Sequence, residues 1–181
     1  MPSTSSKSGS SDRLYFAYSV LLDPETFALR MKEGGHPTFR LPEGKVGEAQ
    51  DVDLVFNFHS PKWGGRIASL TPSPGRSVHG RIYALRDTDF AIVRDAEGAK
   101  SGSFQELPVK VKVEGQVLQA VAFATAPGRA TTSGPVSESY ANTLARGAEA
   151  AGLPRAYWEK LKAEAAILAK VQAVGRELNL K

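Results

Sequence analysis

LPVKVKVEGQVLQAVAFAT, residues 107–125, is the stretch whose reading decides the fold class. Val109, Val111 and Val113 alternate with Lys110 and Lys112, as they do in a strand with one face buried and the other in water. Glu114-Gly115 stands where the backbone must reverse, and a glycine there supports a tight hairpin into QVLQAVAFAT. Working outward, the same period of two recurs three times. Leu14, Phe16 and Tyr18 share one face; Val52, Leu54, Phe56 and Phe58 share another; Val78, Ile82 and Ala84 share a third. The Pro- and Gly-rich runs TPSPGRS and APGRATTSGP read as loops between strands.

The last third of the sequence has a different character. From Ser137 onward it is rich in alanine and nearly free of β-branched runs, which favours helix. The pattern predicts one helix over residues 138–150, closed by Gly152, and a second starting near Pro154. In the second, Tyr157, Leu161, Ala165, Leu168, Val171, Val174 and Leu178 recur at three- and four-residue steps, a packing stripe. Strands first and helices after predict an α+β domain.

With 181 residues the protein is long enough for one domain with a real core. The opening MPSTSSKSGSSDR is polar and has nothing to bury, so residues 1–12 are expected to form a disordered tail. The folded domain is expected over 13–165, with 166–181 as a C-terminal helix extension. No apolar run approaches the ~20 residues of a membrane helix, so no membrane partner is expected. The absence of cysteine rules out disulfides, thiolate metal sites and cysteine nucleophiles, and fits a cytoplasmic protein. A net charge of +4 and a pI near 9.4 raise the question of nucleic acid. The basic residues are scattered, however, and residues 155–181 carry six Lys or Arg against three Glu, the mix of a solvated helix face. No nucleic-acid partner is expected.

Chemistry-bearing motifs are sparse. His36, His59 and His79 have no metal-ligand spacing, and His59-Ser60 is a neighbouring pair without a triad's third member in view. Lys62-Trp63-Gly64-Gly65 falls short of a phosphate loop. Glu97 stands beside Gly98 among small residues, in a segment linking strands, where a carboxylate can be held in a pocket.

Order and spacing say more than any single motif. Phe16-Ala17-Tyr18 is followed by Trp63-Gly64-Gly65 with Ala68, then by Pro74-Gly75 with Val78, Gly80, Tyr83 and Leu85. Glu97-Gly98 with Gly102 comes next, and then Pro135, Ser137, Tyr140, Gly147-Ala148 and Gly152-Leu153-Pro154. In this order the residues resemble the γ-glutamylcyclotransferase (AIG2-like) family from residue 14 to about 161. The resemblance implies a compact, mixed β-barrel-like sheet with flanking helices and a C-terminal helical tail. It also implies intramolecular acyl transfer on a small-molecule γ-glutamyl substrate, giving 5-oxoproline and a free amine or amino acid without any cofactor or metal. Glu97 matches the family's acid/base glutamate. Tyr18, Ser19, Val20 and Leu21 match the loop that wraps the γ-glutamyl group, and Tyr140 is expected to reach the pocket from the helical tail.

Such a base requires a carboxyl raised from ~4.3 by roughly two pH units, which desolvation beside Gly98 would supply. The sequence departs from the family pattern at named positions. Ser19-Val20-Leu21 replaces Gly-Ser-Asn, and Val20, being β-branched, is poorly suited to positive φ. Phe104 stands where tyrosine is common, and Ser69 replaces a threonine. Two readings therefore stand side by side: a working cyclotransferase, and a silent member of the family that binds a small molecule or a protein.

Overall fold

The computed structural model describes residues 11–178. The expected polar tail therefore lies almost wholly outside the described residues. Five strands carry the fold: β1 (Arg13–Ala17), β2 (Lys45–Ser60), β3 (Gly65–Leu85), β4 (Phe104–Val113) and β5 (Gln116–Thr125). Four α-helices accompany them: α1 (Pro24–Glu33), α2 (Asp87–Ala96), α3 (Glu138–Ala150) and α4 (Arg155–Leu178). Strand neighbours run β1-β3-β2-β4-β5 through antiparallel pairings, and β1 meets β5 in parallel at Tyr15 opposite Val121. The sheet is thus barrel-like and the fold α+β, as expected. No helix among the described residues is long and apolar enough to cross a membrane.

The β4–β5 hairpin follows the sequence closely. Val109, Val111 and Val113 are buried while Lys110 and Lys112 are exposed. Glu114 (φ 49°) and Gly115 (φ 81°) both take the left-handed backbone that a two-residue turn between twisted strands demands. Strand β1 goes beyond its pattern, because Tyr15, Phe16, Ala17 and Tyr18 are all buried. Aromatic rings pack on both of its sides: Tyr15 meets Tyr83 and Phe123, while Phe16 stacks on Tyr18.

Three expectations need correction. TPSPGRS lies within the long β3 and bulges opposite Asp51, whose carboxylate accepts a hydrogen bond from the Gly75 amide (2.9 Å). Phe58 does not share a face with Val52, Leu54 and Phe56. The register slips between Phe56 and Phe58, so Phe56 pairs with Ala68 and Phe58 with Ile67, adjacent residues on opposite faces of β3. The extra residue, Asn57, is held by Thr125 Oγ1 on its side chain (2.8 Å) and by the Thr131 amide on its carbonyl (2.7 Å). Finally, α1 and α2 interrupt the strand run that was expected to precede all helices.

Asp23 caps α1, accepting a hydrogen bond from the Thr26 amide (3.0 Å), and Pro24 occupies the first turn. The same carboxylate takes two 2.8 Å hydrogen bonds from the Arg146 guanidinium on α3, which holds it below the usual carboxylate range. Gly147 makes that approach possible, since a Cβ there would lie 2.8 Å from the Asp23 nitrogen. α3 and α4 follow the sequence expectation, with Ser137 capping α3 through the Tyr140 amide (3.2 Å). On α4, Leu161 and Ala165 are buried and Tyr157 and Leu168 half-buried, while the Val171, Val174 and Leu178 side chains lie outside those described.

Candidate active site

Glu97 is the residue at which α2 ends. Its amide donates to the Val93 carbonyl (2.9 Å), and Gly98 follows at φ 92°, a left-handed exit that glycine adopts without strain. The acid therefore sits at a helix C-terminus, a more rigid mount than a bare connection between strands. Two groups converge on it. The Tyr15 hydroxyl donates to Glu97 Oε1 from β1, and the charge of Arg30 on α1 reaches it from another side. Burial of the carboxyl pushes Glu97 up to about 7, against the opposing pull of the Tyr15 hydrogen bond and of Arg30. Burial also pushes the Tyr15 phenol well above its ordinary value, so it remains a donor.

The expected residues are brought together. Tyr18, Ser19, Val20, Leu21, Glu97 and Tyr140 all line one cavity of about 170 Å³. Ser19 is extended (φ −119°, ψ −152°), and Val20–Leu22 forms a single 3-10 turn closed by the Leu22 amide on the Ser19 carbonyl (3.0 Å). None of Tyr18 to Asp23 has positive φ, so the expected conflict between Val20 and a left-handed backbone does not arise. Within a 3-10 turn the first amides have no partner inside the turn. Those of Val20 and Leu21 accordingly make no hydrogen bond among the described residues, whereas their side chains are buried.

The two tyrosines differ. Tyr18 commits its hydroxyl to the Phe123 carbonyl (2.5 Å). The Tyr140 hydroxyl accepts from the Ala68 amide (2.8 Å) and has no acceptor for its own proton among the described residues, while burial keeps it protonated. Its ring meets Trp63 edge-on (centroids 5.2 Å apart).

Several lining residues escaped the sequence reading. Arg30 lines the cavity from α1, an element the sequence pattern does not reveal, and Tyr15, off the face that the alternation singles out, reaches the site through its hydrogen bond to Glu97 without lining the cavity. Phe58 reaches the cavity wall through the Asn57 bulge and packs on Phe104 (5.1 Å). Phe104 also lies against Gly98, so the phenol that holds Glu97 comes from Tyr15. Ser69 is wholly buried and accepts from the Thr125 amide (2.9 Å), away from the cavity. None of the three histidines lines it.

Comparison with known proteins gives an independent measure. Residues 77–161 match the model of the AIG2-like family. The sequence is 32% identical to mouse γ-glutamylcyclotransferase over 155 residues, covering 83% of this protein and 77% of the mouse protein. It is likewise 32% identical over 155 residues to the human γ-glutamylcyclotransferase, with the same coverage. A solved γ-glutamyl cyclotransferase structure superposes with a TM-score of 0.70 at 30% identity, covering 84% of this protein and 87% of that one.

Proposed function

The protein belongs to the γ-glutamylcyclotransferase family and is an enzyme of that type, and from this premise we propose that its cavity closes a γ-glutamyl group into 5-oxoproline with Glu97 as the acid/base. Nucleophile and electrophile lie in one substrate molecule, so the protein gains most by holding the ring-forming conformer. The free α-amine attacks the γ-carbonyl carbon, a C–N bond forms, and Glu97 takes the proton that the nitrogen sheds. The tetrahedral oxyanion then collapses, the original γ-amide bond breaks, and Glu97 returns the proton to the departing nitrogen. A carboxyl poised near neutrality serves both transfers. Two amides unpaired among the described residues, those of Val20 and Leu21, with the Tyr140 O–H, supply donors at the γ-glutamyl end, where developing negative charge needs them. Tyr18 and Ser19 wall the same end.

The observation that carries this reading is the Glu97 carboxyl, enclosed, raised to about 7 and gripped by Tyr15. Residues 13–165 hold the activity, 166–178 extend the last helix, and a cytoplasmic setting accords with the cysteine-free composition. The test is to incubate purified protein with γ-glutamyl dipeptides and with glutathione and to measure 5-oxoproline. Product is expected with at least one of them. Turnover undiminished in Glu97→Gln would overturn the mechanism, and none on any γ-glutamyl compound would favour a silent binder.

A further inference from the structure

Neither Asp23 nor Arg146 lines the cavity, yet together they join the two elements that carry its donors. Asp23 is the residue at which the 3-10 turn becomes α1. Its amide donates to the Val20 carbonyl (3.0 Å), and its carbonyl accepts from the Phe27 amide (2.9 Å). Its buried carboxylate accepts from the Thr26 amide (3.0 Å) and the Thr26 hydroxyl (2.7 Å). Those bonds suffice to cap α1, as the Ser137 hydroxyl alone does for α3. The guanidinium of Arg146 is therefore additional to capping: Nε reaches Oδ1 and Nη2 reaches Oδ2, each at 2.8 Å.

A fork of two parallel N–H bonds fixes direction as well as distance. Arg146 shares α3 with Tyr140, and Asp23 adjoins the Val20–Leu22 turn. The fork thus sets the Tyr140 hydroxyl against the Val20 and Leu21 amides, and Gly147 lets the α3 backbone rest directly on Asp23. Arg146 is itself exposed, so its replacement leaves the core packing of α3 in place. Resting on the cyclotransferase reading above, we propose that Asp23 and Arg146 are positioning residues for the reaction. Their ion pair aligns the two amides and the Tyr140 O–H on the γ-carbonyl oxygen as it takes up negative charge.

The decisive variant is Asp23→Asn/Arg146→Met. Asparagine still caps α1, and no carboxylate is left buried without its partner. With a γ-glutamyl dipeptide, well below the melting temperature, kcat should fall about 10-fold while KM stays within about twofold. That split marks donors that act mainly in the transition state. Arg146→Lys keeps the charge but not the fork and should lose about threefold. In a Val20→Pro background the double substitution should cost less than about threefold, because one of the amides it aligns is already gone. Relaxation dispersion gives a readout independent of turnover. Microsecond-to-millisecond exchange should appear at the Val20 and Leu21 amides of the variant and not in the β4–β5 hairpin.

An unchanged kcat, or the full loss repeated in the Val20→Pro background, would overturn the proposal. So would a rise in KM with kcat intact, or no new exchange at the two amides. New exchange there, with no 5-oxoproline from any γ-glutamyl compound even in the unsubstituted protein, would overturn the reaction while supporting the clamp.

Discussion

The two ends of the cavity are built on different principles. At the α2 end the group proposed to work is a side chain: Glu97, fixed by a helix terminus, a glycine exit and the Tyr15 hydroxyl. At the Ser19–Leu22 end it is backbone, two amides of a 3-10 turn that are unpaired among the described residues and whose side chains are buried. The contrast explains how Ser19-Val20-Leu21 can stand where a Gly-Ser-Asn motif was expected. A side-chain device tolerates no change of residue, whereas a backbone device tolerates any residue that keeps the turn.

The harshest test of the contrast is Glu97→Gln, which should cut 5-oxoproline formation by about 10²- to 10⁴-fold. The same substitution should raise stability at alkaline pH. A carboxyl at about 7 in the folded state and near its ordinary value when unfolded destabilises the fold increasingly as pH rises through that window. Thermal melts at pH 8 should favour the glutamine variant by about 1–3 kcal/mol, with the advantage gone at pH 4. Identical melting at both pH values would show that the carboxyl is not held as described.

Next in size is Val20→Pro. The Val20 amide has no partner among the described residues and Ser19 is already extended, so proline removes a donor from the cavity without breaking the turn. A loss of about 10- to 100-fold in kcat/KM is expected, against less than about threefold for Val20→Ala, which keeps the amide and removes only side-chain methyls. Equal losses in the two variants would put the working atoms in the Val20 side chain and erase the distinction between the two ends.

Tyr15→Phe probes a smaller effect. The hydroxyl favours the ionised carboxylate, so its removal should move the acid limb of the pH–rate profile upward from about 7. Activity at pH 7 should drop about five- to tenfold and recover by pH 9, a pattern that a merely structural loss would not produce.

What the sequence revealed follows the same division between side-chain pattern and backbone event. The β4–β5 hairpin was legible because valine and lysine alternate cleanly and a glycine marks the turn. α3 was legible because the run after Ser137 is rich in alanine, nearly free of β-branched stretches and closed by Gly152. α1 and α2 were not, since each buries only a pair of side chains, Phe27 with Met31 and Phe90 with Val93, too few to impose a visible period. Overlooking α1 concealed Arg30 with it. Tyr15 stayed hidden because alternation presumes one wet face, and β1 has none. Val20 was misjudged because the reading presumed a left-handed backbone that the 3-10 turn does not use.

The bulge at Asn57 turns the cavity wall into a matter of parity. From Val52 to Phe56, past the irregularity at Asp51, the strand assigns its side chains by simple even-and-odd counting, and one uncounted residue then hands Phe58 to the opposite side, where it meets Phe104. Removing Asn57 would restore the count and transpose every residue between it and the end of β2. The shape of this pocket can therefore be rewritten by strand length alone, with no change in the character of any residue that lines it.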